Sequence, residues 1–191
     1  MTFHQALNDH LSCFRDLADI SSSIISAANL LAATLQKGGK ILICGNGGSA
    51  SDSQHFAAEI VGRFAMERDP WPAIAITTDT SIITAIANDY TFDDIFARQV
   101  DGIGAPGDIL IALSTSGNSE NVIKAAVTAG KKKIQVIALM GKHAGKLASF
   151  ADIVIQAPAA QTPRIQEIHA FILHCWAEMI EDSLINRKEP S

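Results

Sequence analysis

Apolar residues open the chain at three- and four-residue steps. Leu7, Leu11, Phe14, Leu17, Ile24, Ile25, Ala28, Leu31, Ala32 and Leu35 make up the series, and that spacing predicts amphipathic helix over residues 1–36. Ser21-Ser22-Ser23 predicts a break into two helices, with a serine capping the second. Gly38-Gly39 ends it. The segment is apolar over more of its circumference than a lone surface helix needs, so it is expected to pack against another subunit.

From residue 40 the pattern changes to short apolar runs that alternate with helical stretches. The runs are Ile41–Cys44, Ala73–Ile76, Ile109–Leu113, Gln135–Leu139 and Ile153–Ile155. They are rich in β-branched residues and bounded by Gly, Pro, Asp or Ser, as strands buried on both faces of a parallel sheet are. Helical patterns fall near 51–66, 81–87, 92–103, 119–130 and 144–149. A last long helix is expected over 163–185. Strand–helix alternation predicts an α/β fold, a three-layer doubly wound parallel sheet with long N- and C-terminal helices. No linker or low-complexity tract interrupts it, so residues 1–191 are expected to form one domain with an α/β core over 40–158.

Composition narrows the function classes. The 191 residues are 48% hydrophobic and 18% charged, with a formal net charge of -5. That excludes a disordered chain and argues against a nucleic-acid binder, because Lys131-Lys132-Lys133 is too short a basic run. With 6% aromatics a base-stacking surface is not expected either. No continuous apolar run approaches the ~18 residues of a membrane span, and the first residues lack the pattern of a secretory leader. Cys13, Cys44 and Cys175 share no close spacing and fit reduced thiols, so a cytoplasmic protein is expected.

Two loops repeat one theme. Ile41–Cys44 leads into Gly45-Asn46-Gly47-Gly48-Ser49, and Ile109–Leu113 leads into Ser114-Thr115-Ser116-Gly117-Asn118-Ser119, each followed by a helix. Small residues let backbone amides approach an anion, and the helix dipole favours negative charge there. The hydroxyls of Ser114, Thr115, Ser116 and Ser119 suit a phosphate; a serine-rich helix cap is the plainer alternative. No Gly-Lys-Ser/Thr follows, so this is not a P-loop. Gly45-x-Gly47-x-x-Ala50 matches a dinucleotide fingerprint loosely, but the acidic residue that should end the next strand is missing.

His55 and Glu59 lie four apart on one helix face, a spacing that serves a metal site or an acid–base couple. His174 sits among apolar residues of the last helix. A solvated ion pair and a satisfied core histidine are the plainer readings, and His4, His10, His143 and His169 carry no stronger one.

The ordered set Gly45-Asn46-Gly47-Gly48-Ser49-Ala50, His55-Phe56-Ala57-Ala58-Glu59, Ala87-Asn88-Asp89, Ser114–Ser119 and Arg164-Ile165-Gln166-Glu167-Ile168-His169 resembles the sugar isomerase (SIS) domain family over essentially the whole chain. Within it the chain is similar to the members that convert sedoheptulose 7-phosphate to D-glycero-D-manno-heptose 7-phosphate, on the route to ADP-heptose and lipopolysaccharide core. The resemblance implies that Asn46, Gly47, Gly48, Ser49, Glu59, Asn88, Asp89, Ser114, Thr115, Ser116, Ser119 and Gln166 bind substrate. It implies Glu59 and His174 as the acid–base residues, and one zinc ion per subunit on His55, Glu59, Gln166 and His174. It further implies a homotetramer with sites at subunit interfaces. Where some members carry an Asp before the Arg-Ile-Gln motif, this chain has Pro163, which suits the first turn of a helix.

Gln166 and His174 are separated by about 12 Å along a regular helix. They share one ion only if the helix starts irregularly or the ion lies between them; otherwise Gln166 touches the sugar. Two non-enzymatic readings compete with the isomerase. One is a sister group with the same loops that binds a replication-initiator protein, whose members lack the carboxylate that Glu59 supplies here. The other is a sugar-phosphate-sensing domain with an idle acid–base pair.

Overall fold

A computed structural model describes residues 2–185. The outermost residues of the expected single domain, 1 and 186–191, lie outside the described residues.

Five strands form one parallel sheet: β1 (Ile41–Cys44), β2 (Ala73–Ala75), β3 (Ile109–Ser114), β4 (Gln135–Met140) and β5 (Ile153–Gln156). Their order is β2-β1-β3-β4-β5. The chain steps outward from β1 to β2 and returns to β3 on β1's other side. The topological switch point therefore lies between β1 and β3, where open α/β sheets bind ligands at the strands' carboxyl ends. Cys44 of β1 is in register with Ala112 of β3, so their two loops leave the sheet side by side.

Alternating strand residues feed two cores. Ile41, Ile43, Ile109, Ile111, Leu113, Ile137 and Leu139 face α2 (Ser21–Gln36), α3 (Gly48–Val61) and α7 (Thr162–Ile185). Leu42, Leu110, Ala112, Val136 and Ala138 face α5 (Ile95–Ile103) and α6 (Glu120–Lys131). Burial on both faces explains why the strands read as continuous apolar runs. Trp176 of α7 is fully buried and donates from Nε1 to the Ile24 carbonyl at 3.0 Å, which locks α7 to α2. His169, also on α7, is fully buried with Nε2 at 3.2 Å from the Met140 carbonyl.

The N-terminal helices form as expected, with one correction. A 3-10 turn over Asp16–Ile20 joins α1 (Phe3–Arg15) directly to α2, whose cap position is Ile20 with no side-chain cap. Ile20 is not extended, so no hydroxyl is placed to cap the following amides. Ser21 Oγ instead donates back to the Ala18 carbonyl. The helix expected near 144–149 is a 3-10 turn, Lys146–Phe150. α4 spans Thr80–Asp89.

α1 contains no buried residue and leaves Phe3, Leu7 and Leu11 exposed by 75%, 41% and 45%. By length and composition alone, the helical stretch Phe3–Gln36 could cross a membrane. Its second half is instead core: Ala27, Ala28, Leu31, Ala32 and Leu35 are buried inside the protein. Cys13, Cys44 and Cys175 are all free thiols.

Candidate active site

The first loop turns at Gly47, whose φ of +56° disfavours any side chain. Gly48 opens α3 and lies against Gln166 of α7, where a Cβ would collide with the glutamine amide. From there α3 and α7 run together, and their seam holds a polar cluster. His55 Nε2 is 2.9 Å from Glu59 Oε1 and 3.1 Å from His174 Nε2. One ligand atom from each of the three lies within 4.8 Å of the others.

Two imidazoles and one carboxylate form a donor set used by catalytic zinc sites, with a fourth position left for substrate. Zinc–nitrogen bonds of about 2.0–2.1 Å in a tetrahedral site put two ligand nitrogens about 3.3 Å apart. The 3.1 Å between the histidine nitrogens matches that spacing. The residues therefore fit a zinc ion. Gln166 stands on the same helix as His174. α7 is helical from Thr162 onward, so Gln166 sits two turns before His174, with its amide at Gly48.

Three features around the cluster were not legible in the sequence. Asp52, one turn before His55, lines a small cavity of about 10 Å³ with His55, Phe56, Ala170, Leu173 and His174. Its Oδ2 is buried with no hydrogen-bond partner among the described residues. Burial pushes the Asp52 carboxyl up, while His55 and His174 pull it back. Its helical spacing from His55 was the available signal.

The second is a clasp. Glu181 of α7 accepts the amides of Phe64, Ala65 and Met66 at 2.8–2.9 Å and Arg68 Nε at 3.0 Å. Burial works to raise the Glu181 carboxyl, but those donors hold it below the usual carboxylate range. Arg68 in turn donates to the carbonyls of Glu59 and Ile60 at 2.8 and 3.0 Å, closing the end of α3 that carries Glu59. The clasped turn sets the Phe64 ring 5.8 Å from the His174 ring.

The third is Asn121, in the first turn of α6, which pairs with Asn46 through two 2.9 Å hydrogen bonds.

The second loop keeps its hydroxyls together. Ser114 Oγ donates to Ser119 Oγ at 3.1 Å, and Ser116 Oγ accepts the Asn118 amide at 3.1 Å. Thr115 is half-buried and Ser116 exposed, at the start of the 12-residue helix α6. Clustered hydroxyls at a helix start have the chemistry that suits an anion. Ser49 is buried in the first turn of α3. Asn88 and Asp89 are exposed at the end of α4, where Asn88 Nδ2 donates to Asp89 Oδ1 at 2.9 Å.

A family model described as SIS domain matches residues 3–141. A phosphoheptose isomerase of Rhodospirillum rubrum is 51% identical over 172 residues, covering 90% of this chain and 92% of that protein. A phosphoheptose isomerase of a Shewanella species (strain ANA-3) is 50% identical, covering 89% and 88%. Among solved structures, the phosphoheptose isomerase of Neisseria gonorrhoeae superposes with a TM-score of 0.85 at 41% identity, over 95% of this chain and 100% of that one. The enzyme of Francisella tularensis gives 0.87 at 38%, with the same coverage.

Proposed function

Because this chain belongs to the SIS domain family, we propose that it carries out the phosphoheptose isomerase reaction, interconverting sedoheptulose 7-phosphate and D-glycero-D-manno-heptose 7-phosphate. The carrying observation is that Glu59, His55 and His174 meet on the α3–α7 seam, in line with a first loop that lies beside a hydroxyl-rich anion loop.

The reaction moves a proton between C1 and C2 through an ene-diolate. The reacting carbons and the phosphate are at opposite ends of the sugar, and so are the two groups of residues. Ser114, Thr115, Ser116 and Ser119 hold the phosphate at the α6 N-terminus. Along α3, His55 is about 10 Å from Gly48 at a rise of about 1.5 Å per residue. Remote phosphate binding thus holds C1 and C2 near the seam. Glu59 takes and returns the carbon-bound proton, and His174 serves the oxygens. Asn46, Gly47, Gly48, Ser49 and Gln166 contact the sugar between the two ends, with Gln166 acting on the substrate rather than on an ion. Asn88 and Asp89 are assigned as substrate contacts by likeness to the family.

His55, Glu59 and His174 would hold one zinc ion per subunit, and a bound zinc supplies Lewis-acid polarisation of the carbonyl. Residues 1–191 act as one SIS domain in a cytoplasmic homotetramer. The exposed Phe3, Leu7 and Leu11 of α1 support burial against another subunit.

The test is turnover of sedoheptulose 7-phosphate by the purified protein, before and after chelation and with zinc restored. Isomerisation that falls with chelator and returns with zinc is expected. A folded protein of tetrameric mass that leaves the sugar unchanged would overturn the assignment.

A further inference from the structure

Asn121 has no part in the chemistry above, yet its side chain is almost wholly buried, at 2% exposure. Its Oδ1 accepts the backbone amide of Val122 at 2.9 Å. A backbone amide only donates, so this contact fixes which way the Asn121 amide faces. Asn121 Nδ2 must then point at Asn46 Oδ1, and Asn46 Nδ2 at Asn121 Oδ1, both at 2.9 Å. The first turn of α6 thereby dictates the orientation of a side chain in the other loop. Each amide spends one N–H on the pair. Half-buried Asn46 keeps its second N–H and a free lone pair for a sugar hydroxyl.

We propose that Asn121 is a positioning residue. It orients Asn46 and fixes the Gly47–Ser49 turn relative to the phosphate loop, so that a sugar anchored by its phosphate presents C1 and C2 to Glu59 and His174. This inference rests on the isomerase reading.

The experiment is a double-mutant cycle on kcat/KM with sedoheptulose 7-phosphate, using Asn121→Ala, Asn46→Ala and the double variant. Inorganic phosphate serves as competitive inhibitor. Asn121→Ala is expected to lower kcat/KM about tenfold, the scale of two lost neutral hydrogen bonds. If Asn121 acts through Asn46, the double variant is no slower than Asn46→Ala alone. Inhibition by phosphate stays at the wild-type level, since the hydroxyl loop is untouched. Losses that multiply, or phosphate inhibition that weakens in step with KM, would overturn the proposal. Asn121→Ser is read the same way if the alanine variant does not fold. Failure of both to fold would mark Asn121 as purely structural and overturn it too. A folded wild type without turnover overturns the isomerase reading, and this inference with it. Wild-type turnover with multiplying losses overturns this inference alone.

Discussion

The loops after β1 and β3 leave neighbouring strands at the same end of the sheet, but they are held in different ways. The loop after β3 is pinned mostly by its surroundings' backbone. Thr115 accepts the Gly141 amide at 3.1 Å and Gly117 accepts the Leu147 amide at 3.0 Å, while Gly145 is packed against Gly117. The loop after β1 is held by side chains that arrive from elsewhere, Asn121 from α6 and Gln166 from α7. In the proposed reading, backbone pinning gives a rigid cradle to the phosphate, a group that does not change during the reaction. On the same reading, side-chain contacts place the sugar end of the site, and the helix that follows carries the proposed reacting groups. The two loops look alike as sequence because both begin with small residues after an apolar strand. Their difference lies in what packs on them.

The sharpest way to break the comparison is at the seam. Glu59→Gln keeps the shape of the side chain and removes the proposed base. kcat is expected to fall about 10²–10⁴-fold with KM little changed. Native kcat in a folded Glu59→Gln protein would remove Glu59 from the chemistry. A smaller effect is expected on the other side. Ser116→Ala removes one exposed hydroxyl from the proposed phosphate cradle, and kcat/KM for sedoheptulose 7-phosphate should fall about tenfold. Unphosphorylated sedoheptulose should be a poor substrate for both proteins, and equally so. If Ser116→Ala slowed the unphosphorylated sugar as much as the phosphorylated one, the division of labour between the loops would be wrong.

Much of this architecture is legible in the order of residues along the chain. The strand runs match because doubly covered strands need uninterrupted apolar stretches, and Ile109–Leu113 lies within β3. His55 and Glu59 show as a same-face pair through their spacing, and their place in a site follows only from the family resemblance. What stays hidden depends on contacts between elements distant in sequence. Arg68 reaches Glu181 across 113 residues, whereas the meeting of His174 with His55 across 119 was expected only through the family resemblance. Asn121 looks like an ordinary polar residue of a helix start, and only its meeting with Asn46 gives it a role. The serine cap fails for a local reason: the chain enters α2 from a helical turn rather than an extended residue.

The buried His169 has a consequence for how the protein responds to acid. Burial pushes its imidazole down to about 4, against the opposing pull of the Met140 carbonyl. In the unfolded chain the ring would take up a proton near its ordinary value of 6.5. Between those two values the unfolded state binds a proton that the folded state refuses. Stability is therefore full above pH 6.5 and drains away as the pH falls toward 4, by about 3 kcal/mol for this one group at the lower end. Met140 ends the strand whose next residue, Gly141, donates its amide to the Thr115 carbonyl, so His169 packs beneath the loop after β3. Urea midpoints should drop steadily from pH 6.5 to pH 4.5, and His169→Gln should flatten that slope. An unchanged slope in the variant would assign the acid sensitivity to other groups.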